Sequence, residues 1–223
     1  MKPQPYLLLL TLVFLLSACS KNNSQANAQS TAQHHKPSKE VLANLNKAYF
    51  ASGCFWCVEA IFESLKGVEE VYSGYSGGSA KTATYSAVSA GNTRHAESVE
   101  VYYDPAVVSY ETLLKVFFGS HDPTTLNQQG PDRGPQYRSA IFYQTPQEKA
   151  AIEAYIQELV AQKVFSGKIT TEVSPLDQFY VAEAYHQDYE RLHPNQSYVR
   201  AVSIPRLRRF QAKFPDLIKE KAH

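Results

Sequence analysis

A chain of 223 residues with 43% apolar and 19% charged side chains is long enough to bury one sizeable core, with room for an appendage. Its formal charge is +1; setting aside Lys2 in the N-terminal segment takes the 22 bases to 21, against 21 acids. That balance gives no electrostatic case for nucleic acid or an anionic surface, and beyond residue 19 no run approaches the roughly 18 apolar residues of a spanning helix.

In chain order, the first segment is a targeting signal. Lys2 is followed by the apolar run Tyr6–Leu16 and then by small residues, the order of a secretory signal peptide. Leu16-Ser17-Ala18-Cys19 resembles a bacterial lipobox, which makes Cys19 the expected lipidation site and residues 1–19 the signal peptide; the alternative is an ordinary signal with an incidental cysteine. Several acyl chains on one residue anchor stably. The expected location is the cell envelope, on the extracytoplasmic face of a membrane, and the outer membrane in a Gram-negative cell because Ser20 rather than Asp follows. Residues 20–46 open with a stretch rich in Ser, Asn, Gln and Ala, and read as a disordered tether. His34-His35 within it reads as solvated rather than metal-binding.

The catalytic domain is expected over residues 47–218, with 219–223 a short tail. "KAYFAS" reads as a strand, and Phe55, Val58, Phe62 and Leu65 fall at helical spacing before Gly67. "VEEVYSGYSGG" reads as a strand and residues 78–97 as a loop. "ESVEVYYDP" alternates, with Val99, Val101 and Tyr103 on one face. Ser109 caps an amphipathic helix, and residues 121–137 form a second long loop. "SAIFY" is a strand, Thr145-Pro146 opens a helix, "KITTEVS" is a strand, "AEAYHQDYERLH" a helix, and residues 199–218 a C-terminal arm with a last helix. Without the extra helices the order contains β-α-β-β-α-β, so the expected class is α+β, a ferredoxin-like two-layer sandwich.

The chemistry concentrates in "GCFWC", Gly53–Cys57. A structural zinc site takes four ligands, usually in two pairs, and no second CxxC or HxxxH follows. The pair is therefore either a redox couple or a structural disulfide, although a loop this short restricts the unfolded chain little. Cys54 falls at the start of a helix, where free N–H groups and the dipole favour an anion, so its thiol is expected to have a lowered pKa. Cys57 lies one turn on, placed to resolve an oxidised Cys54. Phe55 and Trp56 either wall a cleft or pack under the helix. Glu97 shares parity with Val99, Val101 and Tyr103, so it points to the apolar face if the strand includes it, where a carboxyl stays protonated; otherwise it is a solvated loop residue.

Taken together, "GCFWC", "GVEEVYSGYSGG", "TYSAV", "HAESVEVYYDP", "HDPTTLNQQGPDRGPQYRSAIF" and "FYVAEAYHQDY" resemble a peptide methionine sulfoxide reductase of the A type over nearly the whole mature domain. The resemblance implies that Cys54 is the nucleophile, Phe55 and Trp56 hold the substrate's S-methyl group, and Glu97 is the acid. It implies that Tyr85, Asp132 and Tyr137, expected in the two long loops, surround the sulfoxide. It further implies reduction of the S epimer in oxidised proteins, with a Cys54 sulfenic acid, a Cys54–Cys57 disulfide and a thioredoxin-like dithiol as co-substrate. No metal or bound cofactor is implied, and the expected state is a monomer. Many members carry the resolving cysteine near the C-terminus; "PNQSYVRAVS" has none, so Cys57 must serve. Arg94 stands where glycine is common before "HAE", which can bias the cleft mouth towards acidic peptides. Competing readings are an extracytoplasmic thiol–disulfide oxidoreductase of thioredoxin type and a tethered binding lipoprotein whose CxxC is structural.

Overall fold

The computed structural model describes residue 1 and residues 36–220. The expected signal peptide, Cys19, His34-His35 and the tether up to residue 35 lie outside the described residues. The rest of the expected tether is not featureless. Ser38 accepts the Val41 N–H and caps a short helix, α1 (Lys39–Ala43), and Lys36 pairs with Asp188 at 3.6 Å. At the other end, in the expected tail, the Lys219 N–H donates to the Ser64 carbonyl at 2.9 Å.

The core follows from the alternation of the strands and the apolar faces of two helices. In order come β1 (Asn46–Ser52), α2 (Phe55–Glu63), β2 (Val68–Ser76), α3 (Tyr85–Ser89), β3 (Ala96–Tyr103) and α4 (Tyr110–Gly119). The chain continues through a two-residue ladder, β4 (Gln128–Gln129) with β5 (Asp132–Arg133), to β6 (Ser139–Tyr143) and α5 (Pro146–Ala161). It ends with β7 (Glu172–Pro175), β8 (Phe179–Val181), α6 (Tyr189–Leu192) and α7 (Ile204–Lys213).

The main sheet has the order β7-β6-β1-β3-β2-β8. Its four central strands, β6-β1-β3-β2, pair antiparallel with one another, which is the order of a ferredoxin-like β-α-β-β-α-β unit. β7 adds in parallel to β6, and β8 adds antiparallel to β2. β3 is buried along its whole length because both faces are covered. Val99 and Val101 join the helix-side core, where Phe50 stacks on Phe62 at 4.9 Å and on Phe117 at 5.3 Å. Ala96 joins a smaller layer on the opposite face with Tyr49, Phe142 and Phe179. Each fully buried aromatic of this kind contributes about 1.5–3 kcal/mol. The caps fall where the sequence puts them: Ser109 accepts the Thr112 N–H and Thr145 accepts the Glu148 N–H.

Three expectations need correction. Residues 78–97 are not all loop, since Thr84 accepts the Ala87 N–H and starts α3. Within the strand expected over "KITTEVS", only residues 172–174 are extended; the strand runs on to Pro175. The helix expected over residues 182–193 is broken: a single turn at Ala184–His186 ends at Gln187, and Asp188 adopts φ 58° before α6. Tertiary hydrogen bonds override the helical pattern there. The Gln187 amide both donates to and accepts from the Ser73 backbone, at 3.0 and 2.9 Å, and the Asp188 N–H donates to Glu59 on α2 at 2.9 Å. Among the described residues no helix is long and apolar enough to cross a membrane.

Candidate active site

The site begins at Gly53, where the chain turns from β1 into α2 with φ +93°. A Cβ added there would stand 2.7 Å from the Gln129 Cβ, so only glycine lets the loop over residues 121–137 close on the turn. Gly53→Ala is expected to destabilise the fold by about 1–3 kcal/mol and to depress turnover with it. Urea unfolding followed beside activity measures both effects, and an unchanged midpoint would contradict the close approach.

Cys54 is the N-cap of α2, and its carbonyl accepts the Cys57 and Val58 N–H groups at 3.2 and 3.3 Å. Its side chain lines a cavity of about 210 Å³ together with Phe55, Trp56, Tyr85, Glu97, Asp132, Tyr137 and Tyr198. Every residue singled out in the sequence as catalytic or substrate-binding lies in this wall except Cys57, which sits one turn deeper. Tyr198 is the member that sequence reasoning missed. Tyr85 belongs to the first turn of α3 rather than to a loop, and its N–H donates to Glu183 at 2.9 Å. Tyr137 ends a single 3-10 turn, and Asp132 sits in the short ladder.

The apolar wall is built by packing from behind. Phe55 is buried in the core, with its ring 5.8 Å from Tyr75 and 5.0 Å from His186, so it both packs under the helix and faces the cavity. Trp56 is half-buried. Its ring stacks on Tyr189 at 3.7 Å, and its indole N–H donates to His186 Nδ1 at 3.1 Å. Burial lowers the His186 pKa, so the neutral ring accepts at Nδ1 and carries its proton on Nε2. The indole is thereby fixed in orientation.

The ionisable groups divide into two sets. Glu97 is 2% exposed, and burial among apolar groups pushes its pKa up to about 8, so it is a carboxylic acid at neutral pH. Its Oε2 accepts the Phe55 N–H at 3.1 Å. Burial also raises Tyr85 and Tyr137, which keeps both hydroxyls protonated as donors. Burial raises Asp132 too, opposed by the Tyr198 hydroxyl that donates to it at 2.6 Å.

The cysteines reverse one expectation. The Cys54 thiol is raised well above its ordinary range, by burial first and then by the neighbouring Cys57. Cys57 is instead lowered to about 6, chiefly by a hydrogen bond from Cys54 and, against burial, by Arg206, Ser203 and Tyr198. The Phe55 N–H at the start of α2 is taken by Glu97. The surroundings therefore favour charge on Cys57 over Cys54. Both thiols are free.

Other features stand apart. A cavity of about 260 Å³ on α2 and the C-terminal arm is lined by Trp56, Glu59, Glu63 and Leu207 but by neither cysteine; it meets the Cys54 cavity only at Trp56. Arg94 is exposed and outside the wall; its carbonyl accepts Arg138 Nη2 at 3.0 Å. Among the described residues no cluster of His, Cys, Asp or Glu is placed to hold a metal ion.

Comparison with known proteins shows the family. A family model described as peptide methionine sulfoxide reductase matches residues 46–218. The peptide methionine sulfoxide reductase MsrA 2 of Synechocystis sp. is 49% identical over 187 residues, 83% of this chain and 87% of that protein. The MsrA of Deinococcus radiodurans is 41% identical and covers 89% of this chain and 94% of its own. Among solved structures, reduced Mxr1 from Saccharomyces cerevisiae superposes with a TM-score of 0.65 at 33% identity, covering 69% of this chain and 88% of that one. Methionine sulfoxide reductase A of Corynebacterium diphtheriae gives 0.60 at 36% identity, covering 67% and 76%.

Proposed function

The chain belongs to the peptide methionine sulfoxide reductase family and is a peptide-methionine (S)-S-oxide reductase; from that premise we propose how its own residues carry the reaction and where it works. The observation that carries the proposal is a reactive thiol and a protonated carboxyl facing one cavity between an aromatic wall and two tyrosine hydroxyls.

Phe55 and Trp56 take the S-methyl group, while Tyr85 and Tyr137 hold the sulfoxide oxygen by hydrogen bonds. Cys54 attacks the sulfur as its proton passes to the Cys57 thiolate, and Glu97 gives its proton to the oxygen. Methionine leaves and Cys54 becomes a sulfenic acid. Cys57 then attacks that sulfur, water departs, and a Cys54–Cys57 disulfide remains. A thioredoxin-like dithiol restores both thiols, and the cycle calls for no bound cofactor. The sheet order and the buried Glu97 favour this reading over a plain thiol–disulfide oxidoreductase, which has no use for an acid at that place.

The purified chain, given dithiothreitol and a racemic methionine sulfoxide peptide, is expected to consume only the S epimer on a chiral column. Loss of neither epimer with free thiols would send the assignment to disulfide exchange. Without reductant, Cys57→Ser is expected to release one methionine per chain, more slowly than the native enzyme, and to keep a sulfenic acid that dimedone traps. A Cys57→Ser protein that releases no methionine would mean that the attack depends wholly on Cys57.

The site of action is proposed to be the cell envelope, with the chain held by lipid on Cys19 and repairing oxidised envelope proteins. The support is the sequence of residues 1–19. Labelled palmitate is expected on the native chain and not on Cys19→Ala; equal labelling would remove the anchor.

A further inference from the structure

We propose that the dithiol which recharges this enzyme attacks Cys54, inside the emptied sulfoxide cavity, and expels Cys57 as the leaving thiolate. The proposal rests on the disulfide-forming mechanism above and specifies which of its two sulfurs receives the reductant.

Thiol–disulfide exchange runs nearly in line, so the attacked sulfur must be open on the side away from its partner. Of the two sulfurs, Cys54 is the one that faces the substrate cavity. It is 7% exposed and lines the cavity that methionine vacates. Cys57 is 1% exposed and does not line that cavity; the Tyr198 hydroxyl, 3.8 Å from its Sγ, also reaches Cys54. Cys57 also touches a second cavity of about 210 Å³ lined by Gln129, Pro131, Arg206 and Arg209. Tyr198 and Asp132, joined by their hydrogen bond at 2.6 Å, stand in the walls of both cavities.

The leaving side is prepared as well. Arg206 is 8% exposed and fixed by two bonds, Nε to the Ser120 carbonyl at 3.0 Å and Nη2 to Ser52 Oγ at 3.2 Å. Burial disfavours charge on both sulfurs, but Arg206 and Ser203 offset it at Cys57 alone. A thiolate that is better stabilised departs faster.

The step balances without a further reactant. A donor thiolate forms a bond to Cys54 Sγ, the Cys54–Cys57 bond breaks, and its electron pair leaves with Cys57 Sγ. The donor's second thiolate then forms the donor disulfide and releases Cys54 with both electrons, and Cys54 takes up a proton. Two thiols of the donor are oxidised and one enzyme disulfide is reduced. Sulfoxide and reductant therefore occupy one cavity in turn.

The full chain is oxidised with one equivalent of methionine sulfoxide peptide, and the loss of two thiols per chain is confirmed first. Failure at that stage would overturn the disulfide mechanism itself, before the reductant is added. A thioredoxin-like protein whose second cysteine is replaced by serine is then added, the mixture is quenched with N-ethylmaleimide, and fragmentation mass spectrometry locates each adduct. The expected result is thioredoxin on Cys54 and maleimide on Cys57; the reverse arrangement overturns the proposal. As a second readout, the product N-acetyl-methionine amide is titrated against disulfide reduction by dithiothreitol. A fall of at least about tenfold at saturation is expected, and a rate unchanged at every concentration overturns the proposal independently.

Discussion

Cys54→Ser is expected to abolish turnover, with a loss of roughly a thousandfold or more, while the fold survives. The substitution keeps the backbone features that make residue 54 an N-cap, because its carbonyl rather than its side chain accepts the Cys57 and Val58 N–H groups. What disappears is the sulfur. A serine hydroxyl presents neither a polarizable nucleophile nor an atom that can become a sulfenic acid, and Cys57 lies outside the cavity wall and cannot substitute for it. Methionine release in a single turnover, read beside the urea midpoint, measures both halves of the statement. Residual release above about one part in a hundred would mean that another group attacks the sulfoxide.

Glu97→Gln is expected to lower the rate by about 10²–10⁴ and to change the shape of the pH profile. In the native enzyme the acid is present below its pKa of about 8 and is lost as pH rises through it. The thiol pair gains its charge as pH rises through about 6. The single-turnover rate is therefore expected to climb near pH 6 and to fall near pH 8. Glutamine removes the descending limb and leaves the ascending one. The same substitution acts on stability with the opposite sign. A carboxyl whose folded pKa is raised opposes folding as pH rises from its unfolded value to the folded one, by about 1.4 kcal/mol per pH unit at most. The neutral amide escapes that penalty, so the variant is expected to melt higher than the native chain at pH 7.5 and level with it at pH 4. A bell-shaped profile retained in the variant, or equal melting at both pH values, would assign the proton to another donor.

Periodicity and local signals carried much of the fold into view. Strand parity placed Glu97 on the buried side of β3, and Ser109 and Thr145 marked the helix starts that the structure contains. The order of strands and helices gave the central antiparallel sheet. The edges of the fold depend on contacts that no local pattern encodes. β8 exists because Phe179–Val181 finds the free edge of β2, and Asp188 leaves helical space because Gln187 and Glu59 hold its surroundings. Tyr198 reaches the cavity only through the irregular turn at Val199–Ser203 and its bond to Asp132, residues far apart in the chain. The charge on the cysteine pair was misread for a similar reason. The helix terminus was visible in the sequence, but the burial of Cys54 and the guanidinium that α7 brings to Cys57 were not.

The stacking of Trp56 on Tyr189 has a use beyond holding a methyl group. Trp56 is the only tryptophan of the chain, it lines the same cavity as Cys54, and its indole N–H is held by His186. All of the indole emission therefore originates at the reacting centre. Thiolates and disulfides quench excited indole to different degrees, so each half of the cycle carries its own optical signature. Stopped-flow fluorescence of the unlabelled enzyme can then time oxidation by the sulfoxide and recovery by the dithiol in one cuvette, with no dye and no engineered reporter.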